Sequence, residues 1–600
     1  MTTHSQYQNF RVAVYARAYE VLEMSDLNWL KQRFDLIGRY VKVGKIYLET
    51  HRDMVVVDES TLIQAREFLM ERGVQVSGGI TATVNERNYF QTYCYSNPEH
   101  RQKLKDVVTL TARLFDEVIL DDFFFTNCKC PLCVVAKGEK SWTNFRLEQM
   151  TQASQELVLV PARAANPKVE VVIKYPNWYE HFQGLGFNLE DGPRLFDAIY
   201  TGTETRDPVI SNQHLQPYQS YLIFRYFENI KPGGNRGGWV DPFRSSYIKR
   251  YAEQLWLSLF AKAPEITLFD IRSIFWQVQD EDLSAWQENR PVYDSEAATN
   301  VVHQPDDVLP PDTSFVQTAG AAFALVDQFV GKLGKPVGLK SYKPYHSSGE
   351  AFLHNYLGML GIPLELVPEF PTDAPTVLLA ESAESDPRIV EKIKQQLMDG
   401  KTVVITSGLL HALLGKGIED IVELEYTEQK LSVRDFLMDR NHIYSASRPI
   451  LVPKINYLTN DSWEEVSCIG GTTGAPLLHF AQYGRSRLYI LTIPDNFDDL
   501  YALPIEVLTR IKEIITKDLF ARLESPAQVA LFVYDNNTVI VESFLDDDVD
   551  VWLVLDERFT RIQDVLSGEV FSGDDQKTGK SRYAVSIEPH SFRVFQVEAC

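Results

Sequence analysis

The chain has 600 residues, 44% of them hydrophobic and 12% aromatic, with 59 Lys and Arg against 82 Asp and Glu for a net charge of −23. That length exceeds what one hydrophobic core ordinarily supports, so two to four domains are expected. A surface this acidic repels a phosphate backbone and argues against general nucleic-acid binding, while the aromatic excess suits a neutral, ring-shaped ligand.

The opening MTTHSQYQNFRVAVYARAYEV carries neither the basic segment nor the apolar run of a secretory signal. No stretch approaches about eighteen uninterrupted apolar residues, so no membrane span is expected and a cytoplasmic location follows by default. In such a reducing compartment, six cysteines argue against a disulfide framework.

From residue 10 to about 335, short β-branched or aromatic runs alternate with helical patterns. The runs are 11–16, 45–50, 74–80, 117–122, 169–175, 196–202, a region at 226–231, and 266–271. Between them lie stretches such as DESTLIQAREFLMERG, where Ser60 or Thr61 is placed to cap a helix. Eight strands with intervening helices predict an α/β fold, a (β/α)8 TIM barrel over residues 1–335. The competing open, doubly wound sheet lacks support because no G-x-G-x-x-G follows the first strand.

Chemistry in a barrel sits at the C-terminal strand ends. Those ends offer Glu49, His51 and Arg52, then Thr81, Asp121 and Asp122, then Lys174, Tyr175 and Trp178. Thr203, Glu204 and Arg206 follow, then Arg236, Trp239 and Asp241, and finally Asp270 and Arg272. Charged and aromatic groups gather there while the strand bodies are apolar. Glu49, His51, Lys174, Tyr175, Trp178, Arg206, Arg236, Trp239 and Asp270 are the candidate substrate-binding residues.

A second unit, 336–520, contains TVLLAESAESDPRIVEKIKQQLMDGKTVVITSGLL, a strand–helix–strand with Gly400 ending the helix, and reads as a three-layer α/β domain. Residues 521–600 alternate apolar and polar with turns at Asn536-Asn537 and Gly573, the pattern of a small C-terminal β-sandwich.

Cys128-x-Cys130-x2-Cys133 places three thiols in six residues, and Cys94 in YCYSNPEHRQKL supplies a fourth. Four thiolates suit a closed tetrahedral zinc site stapling the loops after strands three and four; ordinary loop thiols or a disulfide are the alternatives. A zinc held this way has no open position and is structural.

YCYSNPEHRQKL, a strand, and then C-x-C-x2-C resemble the β-galactosidases of glycoside hydrolase family 42. That family carries a Tyr-Cys-Pro-x-Ser-Pro-type stretch, a catalytic Asn-Glu after strand four, and a cysteine loop completing a zinc site. The resemblance runs over nearly the whole chain. It implies a barrel, an amidotransferase-like α/β domain that mediates homo-oligomerisation, with a trimer favoured, and a small β domain. It also implies a carbohydrate substrate, no organic cofactor and no nucleic-acid or membrane partner.

The sequence departs from the family at the chemistry. Asp121-Asp122-Phe123 stands where the family has Asn-Glu, and no glutamate matches the family's nucleophile after strand seven, since Glu228 precedes that strand end. Barrel enzymes resembling α-galactosidases and α-glucosidases instead place an aspartate nucleophile after strand four and an acid after strand six, where YTGTETR puts Glu204. Hydrolysis of a glycosidic bond needs one ionised and one protonated carboxyl. Asp122 is the expected ionised group and Glu204 the expected proton donor. Asp121 is the alternative to Asp122, because strand alternation turns neighbours to opposite faces. An ion pair with Arg206 or Arg236 is the competing role for Glu204. Aromatics at strand ends (Phe123, Tyr175, Trp178, Trp239, Trp276) are singly more often packing, while their clustering makes sugar platforms an equal alternative. In the second unit VVITSGLL carries Ser407 where an amidotransferase needs cysteine, so that domain is expected to be catalytically silent. Two other classes fit the same residues: a non-catalytic carbohydrate-binding protein on a degenerate barrel, and a glycoside phosphorylase or transglycosidase.

Overall fold

Eight strands of the first unit close on themselves. They are β1 (Arg11–Ala16), β2 (Lys45–Arg52), β3 (Gln75–Ile80), β4 (Glu117–Leu120), β5 (Glu170–Tyr175), β6 (Ala198–Gly202), β7 (Asn235–Val240) and β8 (Glu265–Phe269). Each pairs in parallel with its neighbours, and β1 pairs with both β8 and β2, which completes the barrel. The computed structural model describes residues 6–177, 180–206, 215–243, 245, 248–276, 314–575 and 580–599. It divides into two compact units, Met1–Leu215 with Gln219–Gly331, and Gln216–Tyr218 with Lys332–Cys600.

Period-two alternation fills the barrel interior. Ala13, Tyr15, Tyr47, Ile119, Val172, Ala198, Tyr200 and Trp239 form one buried cluster inside it. At the bottom the buried Lys45 ammonium meets Glu117 and Glu265, and Tyr47 and Tyr200 donate to the same Glu265.

Two local expectations are corrected. The aromatic run 226–231 lies not in a strand but at the end of a helix, Gln219–Ile230, whose residues are buried on most sides; strand seven is the glycine-rich NRGGWV that follows. The helix keeps a half-buried polar side at Arg225, Glu228 and Asn229, but its aromatic content is that of a strand. The helix Glu59–Met70 is capped not by Ser60 or Thr61 but by Asp58, whose carboxylate accepts from the Thr61 N–H at 2.9 Å.

In the second unit, parallel strands Leu364–Val367, Leu339–Tyr342, Thr376–Leu379, Thr402–Thr406 and Ser486–Leu491 lie side by side. Gly400, at φ +82°, takes the left-handed position after the helix Ile389–Met398. The sheet then continues through long antiparallel strands between residues 424 and 483, so the domain is α/β with an antiparallel extension. Ser407 opens a short helix, Ser407–Leu413, and its Oγ accepts from the Ile493 N–H at 2.9 Å. The buried Glu350 carboxylate accepts from the Gly408 N–H (3.2 Å), the Glu381 N–H (2.8 Å) and the Thr406 hydroxyl (2.5 Å) at the same turn. The C-terminal residues form two packed antiparallel sheets around a common apolar core.

Lys512, on the helix Ile505–Ile515, is 1% exposed and donates to Ser525 Oγ at 3.2 Å. Burial pushes its ammonium down to about 7. A lysine that ordinarily titrates near 10.5 and here titrates near 7 costs stability wherever both states are protonated. That cost is full below pH 7 and fades as pH rises toward 10.5. Lys512→Met should therefore raise stability by roughly 2–4 kcal/mol at pH 6, with the gain gone by about pH 10. Denaturant midpoints at the two pH values check this; a loss at pH 6 contradicts it.

Candidate active site

Lys174 stands at the centre of the site. It points inward from β5, 3% exposed, with its ammonium 4.4 Å from the Trp239 ring centroid on the barrel floor. Its Nζ donates to Asp122 Oδ2 at 2.8 Å and to Asp121 Oδ1 at 3.3 Å. Both aspartates therefore reach one cation, against the expectation that alternation would send them to opposite faces. The reason is that β4 ends at Leu120: Asp121 continues the inward register of Ile119, and the chain then turns, with the Asp122 N–H donating to Asp121 Oδ1 at 2.9 Å.

The two carboxyls differ in electrostatics. Burial alone would raise Asp121, but Lys174 and Arg52 outweigh it and hold the group below the usual carboxylate range. Asp122 is pushed up to about 6, first by burial and then by Asp121, with Lys174 opposing. Asp121 belongs to a dense network. Arg52 donates to Asp121 (3.1 Å), Glu49 (2.9 Å), Glu86 (2.8 Å) and Thr81 (3.0 Å), and Glu49 also accepts from the Tyr15 hydroxyl (2.8 Å) and the Ala18 N–H (2.6 Å).

Glu204 follows β6. It is 3% exposed, and its Oε2 has no hydrogen-bond partner among the described residues. A Cβ at Gly202 would lie 2.8 Å from the Asn177 nitrogen and 3.0 Å from Glu204 Oε2, so the glycine leaves room for this carboxyl. Burial pushes Glu204 up to about 8, with Asp241 and Asp122 adding to the rise and Lys174 and Arg206 opposing it. The competing ion-pair role is weak: Arg206 is 3.9 Å from Glu204 but forks onto Asp241 at 3.0 and 3.1 Å.

Five of the expected substrate-binding residues have other tasks. Tyr175 points out of the barrel and packs against Phe187 and Phe227, because alternation that turns Lys174 inward turns its neighbour outward. Arg236 begins β7 rather than ending it, so it lies at the opposite end of the barrel and pairs with Glu170 at 3.0 Å. His51 is fully buried, bonded through Nδ1 to the Thr81 carbonyl (2.7 Å) and through Nε2 to the Tyr93 hydroxyl (2.8 Å). Glu49 is equally enclosed by the network above. Asp270 accepts from the Arg272 and Ser273 N–H groups at 2.8 and 2.9 Å and pairs with Arg17 at 3.1 Å. Trp178 lies outside the described residues. Asp241, which the sequence reading lists only as a strand-end residue, directly follows β7; placing strand seven correctly on NRGGWV would have drawn attention to it.

Cys94, Cys128, Cys130 and Cys133 have sulfurs all within 4.8 Å of one another, with Cys94 3.5 Å from Cys133 and 3.6 Å from Cys130. Four thiolates around one ion at a metal–sulfur distance of about 2.3 Å lie about 3.8 Å apart, so this donor set fits a tetrahedral metal. Phe145 and Trp142 pack on the cluster, and Lys129, Lys137 and Arg146 surround the Trp142 ring, bringing positive charge to a site whose ligands are anionic. The cluster is tied to the barrel top. Tyr93, next to Cys94, bonds His51, and the Thr92 hydroxyl donates to the Phe125 carbonyl at 3.1 Å, just past Asp122.

A closed parallel barrel with buried carboxyls crowded around one lysine at its C-terminal rim is the frame of a barrel glycosidase. Residues 1–332 match the family described as "Probable glycosyl hydrolase, catalytic domain", and the chain belongs to that family. Residues 521–597 match its "C-terminal domain" counterpart, and residues 334–496 match the second domain of the uncharacterized protein SSO3021. SSO3021 itself, from Saccharolobus solfataricus, is 23% identical over 98% of this chain and 100% of its own length. Among solved structures, the β-galactosidase of Bacillus circulans sp. alkalophilus has a TM-score of 0.63 at 11% identity over 99% of both chains. That of Rahnella sp. R3 scores 0.64 at 11% identity over 100% of this chain and 99% of its own. The exo-β-1,4-mannosidase Op5Man5 of Opitutaceae bacterium strain TAV5 scores 0.52 at 11% identity, over 85% and 94%. These similarities establish a shared fold. No helix among the described residues is long and apolar enough to cross a membrane.

Proposed function

We propose that the protein hydrolyses small oligosaccharides or glycosides, with Glu204 as proton donor and Asp122 as its ionised partner. The observation that carries this reading is geometric: Lys174 donates to Asp122 at 2.8 Å, while Glu204, 3% exposed, has an Oε2 without a hydrogen-bond partner among the described residues. Asp122 is pushed up to about 6 and Glu204 to about 8. Between those values one is protonated and the other charged, as acid-assisted glycoside cleavage requires. Asp121, already neutralised by Lys174 and Arg52, holds the lysine in place. Trp239 lies under the lysine ammonium, and Arg206, held by Asp241, stands 3.9 Å from Glu204.

A second reading assigns the ionised role to Asp241, favoured by its position after β7, where family 42 places its nucleophile. Asp241→Asn would then abolish turnover while Asp122→Asn would not.

The four cysteines are proposed to hold one zinc ion, in a structural role. The division into 1–335, 336–520 and 521–600 is retained as the proposed domain organisation, with the middle domain serving assembly. A cytoplasmic location is retained as part of the same reading. Light scattering should return a homo-oligomer, with three times the chain mass expected from the family 42 likeness; a monomer at micromolar concentration contradicts assembly.

A panel of aryl α- and β-glycosides and disaccharides, with product anomers followed by NMR, tests the activity. Turnover that requires phosphate would make the protein a phosphorylase. Sugar binding without turnover would make it a binding protein.

A further inference from the structure

After β3 the chain forms a small hairpin, Thr83–Asn85 paired with Gln91–Thr92. Its tip is a tight turn in which the Gln91 N–H donates to the Asn88 carbonyl at 3.2 Å and the two central residues, Tyr89 and Phe90, have φ of +52° and +55°. Turns with two positive φ values are built from Asn-Gly or Gly-Gly, because a side chain there meets its own backbone. Two bulky aromatics are about the least favourable occupants. They are also not buried: Tyr89 is 89% exposed and Phe90 53%. The fold therefore holds a strained pair of apolar rings in water, and neither ring is accounted for by packing into the core.

What the rings adjoin is the site. Phe90 stacks on Phe123 with centroids 5.6 Å apart and planes 27° off parallel, and Phe123 is the residue after Asp122. Phe123 in turn lies against Phe125 and under the Arg52 guanidinium, which anchors Asp121. Phe90 and Phe123 thus form a stacked aromatic pair beside the segment that bears the carboxyls, with the exposed Tyr89 next to Phe90 on the turn.

We infer that the Tyr89–Phe90 turn is a binding platform for a second sugar ring, beyond the one whose bond is broken. The inference rests on the proposed hydrolase reading for the position of the cleaved bond. An aromatic face stacks on the apolar C–H face of a pyranose, and the Tyr89 hydroxyl offers a hydrogen bond to its rim. Strain in the turn is retained because the residues that would relieve it have no ring to present.

The double variant Tyr89→Asn/Phe90→Gly writes the preferred turn sequence into the same hairpin. Its thermal midpoint should rise, since the strain is relieved. At the same time the ratio of kcat/KM for a disaccharide to that for the corresponding methyl glycoside should fall roughly five- to tenfold, through KM. Saturation-transfer NMR on the intact protein with cellobiose, lactose and maltose should show transfer to the outer ring that the variant loses. An equal fall for both substrates, or a lower midpoint, makes the turn merely structural and overturns the inference. A loss confined to p-nitrophenyl glycosides overturns it in favour of an aryl group. If no glycoside is turned over, the hydrolase reading fails by itself, and the NMR contacts still decide the platform: no transfer to an outer ring overturns it.

Discussion

Asp122→Asn and Glu204→Gln should each lower kcat/KM by roughly three orders of magnitude or more, with the fold intact by circular dichroism. For the unaltered protein, kcat/KM should trace a bell with limbs near pH 6 and pH 8. The signs follow from the roles. Asp122 must be ionised, so activity is lost as pH falls through its value; Glu204 must be protonated, so activity is lost as pH rises through its own. Glu204→Gln cannot donate a proton, so its residual rate should keep the acid limb and lose the alkaline one. Substrates whose leaving group needs no protonation, such as dinitrophenyl glycosides, should suffer least from that change. Near-normal rates in either variant would remove that residue from the mechanism, with Asp121 or Asp241 next in line for Asp122.

Removal of the metal should have the second large effect. Freshly purified protein is expected to carry about one equivalent of zinc by elemental analysis; less than half an equivalent counts against the site. A strong chelator, or Cys133→Ser, should lower the thermal midpoint of the barrel unit by roughly 5–10 °C. Activity should fall with it, because the cluster fixes both the loop leading to Phe125 and the Tyr93 hydroxyl that holds His51. Cys468→Ser is the control: Cys468 is buried in the second unit, outside the cluster. Its replacement should leave the zinc content unchanged. Equal metal loss in both variants would deny the cluster its role.

The barrel and the cysteine cluster were legible because each rests on a local pattern. Runs of β-branched residues alternating with capped helices count out strands, and thiols spaced for one ion announce themselves. Strand seven was not legible. Its sequence NRGGWV is poor in strand formers, while the helix before it, QSYLIFRYFENI, has the aromatic content of a strand. A strand at 226–231 sets Arg236 at the C-terminal rim, where it does not lie, and leaves Asp241 a strand-end residue without a role. Side-chain direction at a strand end follows alternation only while the strand lasts: alternation turns Tyr175 outward beside Lys174, against its expected place in the site, and it no longer applies at Asp122, where β4 has already ended. The Tyr89–Phe90 turn was invisible for a different reason. Nothing in two adjacent aromatics announces a backbone conformation that aromatics avoid, and only the folded chain reveals it.

The turn at Ser407 bears on how this domain arrangement could change over evolutionary time. A strand-to-helix elbow in such a sheet is where related folds mount a nucleophile, yet here the backbone amide of Gly408 and the Thr406 hydroxyl are already bound by the chain's own Glu350. The elbow is plugged from within. Changing Ser407 to cysteine would therefore leave the Glu350 carboxyl still filling the space. Removing Glu350 first would leave the amides of Gly408 and Glu381 without their acceptor and destabilise the domain. Each single change toward a nucleophile at this elbow is therefore expected to be neutral or harmful.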